Sequence, residues 1–295
     1  MSGKINFAVL LAAKNSMPWL KSQLISILNQ KKVRLKIYIS IDQSNDDTYQ
    51  FCKSFSYGNK NIKIFLRKKK FSSPSRNFFW MLRKIDLSNY DYIALADHDD
   101  IWIKNKLIYA QKSLLKNRCD GYSSNLITID KKKVKIVKKN YSTRKWDYLF
   151  ESAGAGCTYV FTNYGLSKFK IFLNKHWKKL DKLNNYDWFI YAFFRFNDLK
   201  WYFDKRATIY YRQHSSNFMG ANNNFFSFMK RLKMIINGWY TKEVQKHYKL
   251  LKLVDNKKEI LDINSRITLI INFNKLRRKL SERILLLICL IFFIY

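Results

Sequence analysis

The chain has 295 residues, 47% of them hydrophobic, with only two prolines and eight glycines. That is enough apolar material for one sizeable α/β domain with an appendage, and it excludes a disordered, low-complexity or repeat-built chain. Lys and Arg number 56 against 21 acids, a formal charge of +35, which favours a polyanionic partner, either nucleic acid or an anionic membrane face.

Taken in order, Ile5–Ala13 is a continuous apolar run of strand length, as a parallel strand covered on both faces requires. It ends in the polar Lys14-Asn15-Ser16, so the short run Ile5–Leu11 does not read as a secretory signal. Trp19, Leu20, Leu24, Ile27 and Leu28 recur at helical spacing. Lys36–Ile41 is a second strand, and Ser44–Thr48 supplies turn and capping residues for a helix through Phe55. Ile62–Leu66 is a third strand, 77–85 a helix, and Tyr90–Ala96 a fourth strand running into Asp97-His98-Asp99-Asp100. A helix is expected from Ile101 to Leu115. Beyond it, Cys157–Phe161 and Ala207–Arg212 read as strands and Asp187–Phe196 as an aromatic helix. Strand and helix alternate with short connections, which predicts a mostly parallel, doubly wound sheet. Ligands of such sheets bind beyond the carboxyl ends of the strands, where 12–15, 42–44 and 97–100 all fall.

From residue 222 onward the pattern is helical and basic, and Ile284–Tyr295 carries no charge. That last stretch is shorter than the roughly 20 apolar residues of a bilayer span. A buried terminal helix and a membrane-inserted end both fit it, and the basic 275–283 just before it favours membrane contact. The four cysteines, Cys52, Cys119, Cys157 and Cys289, lie far apart without CxxC spacing, which fits free thiols in a reducing compartment.

Asp97, Asp99 and Asp100 put three carboxylates into four positions, an arrangement that a hard cation such as Mg²⁺ or Mn²⁺ relieves; a helix cap is the plainer alternative. Asp42 could accept a hydrogen bond from a base or ribose, or cap a helix. Asp187 opens an aromatic helix, where a partly dry setting would raise its pKa and suit a general base. Arg212 and His214 follow a strand and could hold a diphosphate or complete a metal shell.

Six collinear pieces over about residues 5 to 221 resemble glycosyltransferase family 2, and within it the rhamnosyltransferase-like bacterial members. Trp19-Leu20 with Gln23-Leu24 and 26–30 resembles the family's first helix, YLxxQLxSILNQ. Asp42-Gln43-Ser44 with Asp46 and Thr48 resembles its DGSxDxT loop. Tyr90–Ile93 followed by Asp97–Trp102 resembles DYI…DQDDIW, and Gly156-Cys157-Thr158 a GCT element. Asp187-Trp188 resembles HDW, and 211–214 with Asn217, Gly220 and Ala221 resembles YRQHxxNxxGA. Lys14, Ile41, His98 and Tyr186 depart from the family's usual Tyr, Asp, Gln or Ser, and His.

The resemblance implies a GT-A fold over 1–221 with a basic helical region over 222–295. It implies an inverting, metal-dependent enzyme using a dTDP- or UDP-sugar. It places Ala13, Asn15, Asp42, Ser44, Arg76, Asp97 and Arg212 around the donor, and Asp99 and His214 at a divalent cation, Mg²⁺ or Mn²⁺. Asp187 becomes the base, and Asp100, Trp102 and Trp188 border the sugar and acceptor. The implied acceptor is a lipid-linked bacterial surface glycan (O-antigen, capsule or lipopolysaccharide), met at the inner face of the plasma membrane. An anionic bilayer then accounts for the charge, and no nucleic acid is expected. A nucleic-acid-binding protein and a non-catalytic sugar-nucleotide binder are the alternatives.

Overall fold

The computed structural model describes residues 5–67, 71, 73–130, 133–214, 229, 233–255 and 258–292. Asn217, Gly220 and Ala221, the expected boundary at 221/222, and parts of the basic runs at 67–70 and 131–139 lie outside the described residues. The first strands are β1 (Asn6–Ala13), β2 (Arg34–Ile41), β3 (Ile62–Leu66) and β4 (Tyr92–Asp97), all mutually parallel in the order β3-β2-β1-β4. The helices between them are α1 (Leu20–Leu28), α2 (Thr48–Ser56) and α3 (Pro74–Lys84). β1 explains the layering. Its side chains alternate between faces, so Ala8, Leu10 and Ala12 enter one core while Phe7, Val9, Leu11 and Ala13 enter the other. α1 and α2 cover the second face, through Leu20, Leu24, Ile27 and Cys52, and α3 covers the first through Phe78, Phe79, Met81 and Leu82. An all-apolar strand is what burial on both sides demands.

Residues 101–115 do not form the single helix the sequence predicts. Ile101 and Trp102 form β5 (Ile101–Trp102), and the helix α4 (Lys106–Asn117) starts only after it. Tertiary pairing overrides the helical pattern here, because Ile101 and Trp102 pair antiparallel with Tyr210 and Ile209 of β9 (Trp201–Arg212). Two strands the sequence did not signal, β6 (Gly121–Asp130) and β7 (Lys133–Val137), form a hairpin. β6 runs parallel to β9, and the short β8 (Val160–Thr162) joins β4 to β6 antiparallel to both, giving a mixed sheet. Of the predicted strand 157–161, Cys157 and Thr158 belong to a 3₁₀ turn, Gly156–Thr158, and Val160 and Phe161 to β8.

The second half adds α5 (Asp147–Phe150), α6 (Asn163–Lys175), α7 (Trp177–Leu180) and α8 (Tyr186–Phe196). Behind them come α9 (Trp239–Leu251), α10 (Arg266–Ile271) and α11 (Leu280–Ile291). Val244, Tyr248, Leu269, Leu286 and Leu290 share one buried cluster with α8, so these helices close the first face of the sheet. α11 is two-sided: Leu286, Cys289 and Leu290 are buried, while Ile284, Ile288 and Ile291 are exposed. Among the described residues no helix is long and apolar enough to cross a membrane. The four cysteines are free thiols.

Candidate active site

Parallel register brings the strand ends together. Ala13 pairs with Ile41 and Ala12 with Asp97, so Asn15, Asp42 and Asp97 leave the sheet along one edge. The Ala13 carbonyl accepts the Asp42 N–H at 2.9 Å. Asn15 takes a left-handed backbone, φ 45°. Its N–H donates to Ser44 Oγ at 3.0 Å and its Oδ1 accepts the Asn45 N–H at 2.8 Å, which laces the two loops. Asp46 and Thr48 tie the same loops, with Asp46 accepting from the N–H of Met17 and Thr48 accepting from that of Ser16. Asp42 is buried, its Oδ1 accepting from the N–H groups of Gln43 and Phe71, while its Oδ2 faces Lys14 Nζ at 3.5 Å.

The polar residues of α1 hold the acidic segment. Gln23 Nε2 donates to the Asp97 carbonyl at 2.8 Å, Ser26 Oγ accepts the Trp102 N–H at 2.9 Å, and Gln30 bonds both Ile103 and Leu107. Gln, Ser and Gln on one helix face therefore fix the backbone that presents Asp97 to Asp100. None of the three acids caps a helix, since β5 intervenes.

The carboxylates are crowded, with Asp99 and Asp100 buried and Asp97 half-buried. Burial, then the charges of Asp99 and Asp187, push Asp97 up to about 7. Burial, then Asp99 and Asp97, push Asp100 well above the usual carboxylate range. Asp100 is fully buried, and apart from the weak donor of the Cys157 thiol its carboxylate oxygens have no hydrogen-bonding partner. Ligand atoms of Asp97, Asp100 and Cys157 lie within 4.8 Å of one another. Orphaned carboxylate oxygens and mutual repulsion are what a divalent cation relieves, so the residues present fit one. Asp99 instead meets His214 Nε2 at 2.8 Å, and that imidazole stacks on Trp19 with centroids 4.0 Å apart. Arg212 donates to the Asp99 carbonyl at 3.1 Å and to Ser22 Oγ at 3.0 Å.

Asp187 enters from the far wall, in the first turn of α8. Burial raises it to about 6, against the pull of its own and Trp188's N–H groups, Lys139 and the Ser152 hydroxyl. It is close enough to Asp97 to raise that acid, so the two carboxylates face one cleft. Tyr186 lies beside both, and a Cβ at Gly156 would sit 2.3 Å from its Oη, which explains the glycine.

Three expected residues are placed differently. Arg76 is engaged by Asp181. Trp102 is 3% exposed beneath the acidic segment, and Trp188 is 6% exposed with its indole N–H donating to the Tyr148 carbonyl. Both tryptophan rings are built into the core, because each strand or helix turn there points its side chain inward. Sequence reasoning missed Lys106, fully buried with Nζ 4.0 Å above the Trp102 ring and 3.4 Å from the Thr158 carbonyl. Burial lowers its pKa to about 7, against the opposing pull of Cys157 and Asp100. A lysine in line with Ala110 and Leu114 on an apolar helix face was the available signal.

A mixed sheet with acids gathered on three strand or helix ends gives a site whose chemistry fits an anionic ligand held through a cation. The comparisons agree. The glycosyl transferase family 2 model matches residues 8–201. The dTDP-rhamnosyl transferase RfbG of Shigella flexneri is 38% identical over 290 residues, covering 97% of this chain and 100% of RfbG. The Escherichia coli UDP-Glc:alpha-D-GlcNAc-diphosphoundecaprenol beta-1,3-glucosyltransferase WfgD is 27% identical over 52% of this chain and 58% of its own. Among solved structures, S. aureus TarS 1-349 with UDP-GlcNAc superposes with TM-score 0.54 at 14% identity, covering 92% of this chain and 82% of that one. The mannosyltransferase PcManGT from Pyrobaculum calidifontis, with GDP-Man and Mn²⁺, gives TM-score 0.56 at 13% identity over 88% and 67%. The chain belongs to glycosyltransferase family 2 and is a glycosyltransferase of GT-A fold.

Proposed function

We propose that the chain transfers rhamnose from dTDP-rhamnose, with inversion, to a hydroxyl of a lipid-linked bacterial surface glycan at the inner face of the plasma membrane. One observation carries the mechanism: Asp97 at the end of β4 and Asp187 in the first turn of α8 are close enough to repel each other. The donor assignment is supported by the 38% identity to a dTDP-rhamnosyl transferase along nearly the whole chain. The lipid-linked acceptor is supported by WfgD, whose name specifies a diphosphoundecaprenol-linked sugar, and by the charge of +35.

Asp42 Oδ2 accepts the imino N–H of a pyrimidine base while Lys14, beside it, donates to the neighbouring base carbonyl. Thymine and uracil both present that donor–acceptor pair. Asp97 and Asp100, with Asp99 and His214 adjoining, would hold Mg²⁺ or Mn²⁺. When bound, the cation neutralises the departing diphosphate. Arg212, clamped by Asp99 and Ser22, adds a fixed positive charge at the same end. Asp187, ionised at neutral pH yet more basic than an exposed acid, takes the proton of the acceptor hydroxyl. The acceptor oxygen bonds to the anomeric carbon as the bond to the diphosphate oxygen breaks, and the bonding electrons leave with the nucleotide. A single displacement inverts the centre.

Thermal stabilisation of the intact chain by dTDP-rhamnose, UDP-glucose, UDP-GlcNAc and GDP-mannose, each with Mg²⁺ or Mn²⁺, tests this. The largest shift should come from dTDP-rhamnose and vanish with EDTA. A larger shift with another donor overturns the sugar assignment, and no shift with any donor overturns the whole reading.

A further inference from the structure

A cavity of about 600 Å³ lies between the segment after β7 and the start of α11. Arg144, Arg278, Lys279 and Arg283 line it with no carboxylate, and Leu280 and Ile284 complete one side. Arg278 is spoken for: it pairs with Glu151 at 3.3 Å and donates to the carbonyls of Lys139 and Ser152. Lys139 and Ser152 both act on Asp187, so Arg278 is the partition between this cavity and the base.

The other three cations have no acid. No ion pair involves Arg144, Lys279 or Arg283 among the described residues. Arg283 is 7% exposed; its Nη1 bonds only Asn274, and its Nε, like that of Arg144, is buried without a partner. Three cations around one open volume with no acid among its lining repel one another, as Arg144 does Arg283, and an entering anion relieves this. The N-terminus of α11 has no side-chain cap and opens on the same volume, adding its positive dipole end. The acid of its first turn, Glu282, is turned to Arg277.

The cavity also has an apolar exit. Leu280 and Ile284 begin a stripe that continues with Ile288 and Ile291 along the outer side of α11, 58%, 46%, 45% and 47% exposed, beside Ile267 and Ile271 of α10. Spacing of three or four residues puts that stripe on one helix face. A cationic cup leading into an exposed aliphatic track has the complementarity of a diphosphate carrying a long hydrocarbon chain.

We propose that Arg144, Lys279 and Arg283 bind the diphosphate of the lipid-linked acceptor, with its hydrocarbon chain along the Leu280–Ile284–Ile288 face. This rests on the glycosyltransferase reading above and places the lipid anchor on the far side of Arg278 from Asp187.

Farnesyl diphosphate, inorganic diphosphate and phosphatidylglycerol vesicles, titrated into the intact chain by calorimetry, test it. Farnesyl diphosphate should bind at least about tenfold more tightly than inorganic diphosphate. Arg144→Ser with Lys279→Ser should weaken it at least about tenfold at unchanged Tm, and Lys279→Ser alone, at an exposed position, should weaken it measurably. Ile284→Ser should weaken farnesyl diphosphate while sparing inorganic diphosphate. Equal affinity of wild type and variants for farnesyl diphosphate overturns the proposal, and so does equal wild-type affinity for the two diphosphates. Loss of vesicle binding alone in the double variant also overturns it, because the cations would then read bilayer headgroups. Wild-type titration with dTDP-rhamnose separates the two failures: donor binding without farnesyl diphosphate binding rejects only this subsite.

Discussion

The cleft at the sheet edge and the cavity beside α11 are charged in opposite senses and built by different means. The cleft gathers acids on strand ends that a parallel ladder aligns, and a helix face of Gln23, Ser26 and Gln30 clamps the backbone beneath them. The cavity gathers arginines and a lysine on loops and one helix start, held by aromatic packing and buried ion pairs. In both places buried ion pairs or charge-bearing hydrogen bonds serve the fold. Asp147, fully buried, meets Arg195 at 2.8 Å, and Arg278 meets Glu151. Asp100 on one side and Arg144 and Arg283 on the other have no ion pair among the described residues. A missing charge partner thus marks the site in these two places better than burial does.

Four changes would break or sharpen that contrast. Asp187→Asn, on the cleft side, should lower transfer by about 10³-fold while donor affinity holds; rates within tenfold of wild type would take the base role away from Asp187. Arg195→Leu strands the buried Asp147 carboxylate and should cost about 3 kcal/mol of stability without touching the cleft. Chemical denaturation would check this, and an unchanged midpoint would mean the pair is not structural. Gly156→Ala drives a Cβ into Tyr186, whose ring is stacked on Phe78 with centroids 4.3 Å apart, and should cost about 2 kcal/mol. A wild-type Tm for that variant would show that the turn yields. The smallest effect is with pH. Burial raises Asp187 to about 6, so its basic form is lost as pH falls through that value. The transfer rate should drop there, approaching about tenfold per pH unit. A flat profile from pH 5 to 7 would contradict the assignment.

Most of the donor side was legible in the sequence. Its strands are apolar runs bounded by polar turns, and Asp42, Asp97 and Asp187 sit at the starts or ends of strongly patterned elements, where chain direction alone predicts a shared edge. The family resemblance rested on the same residues and held, with the fold. The exceptions lie where contacts are distant in sequence. Ile101-Trp102 reads as helix until β9, about a hundred residues later, pairs with it. Trp102 and Trp188 look equally suited to a pocket or a core until their neighbours are known. Lys106 seems a surface lysine until Trp102 and Thr158 close around it.

The cavity beside α11 had no signature at all, since Arg144 and Arg283 are about 140 residues apart and nothing local links them. By itself the sequence determined the alternation of strands and helices, the carboxyl-edge acids and the family, because short-range periodicity and collinear motifs encode them. Which acids are left without partners, which tryptophans are buried, and where cations meet an aliphatic face were decided only by tertiary structure. Those properties depend on what the rest of the chain brings to each side chain.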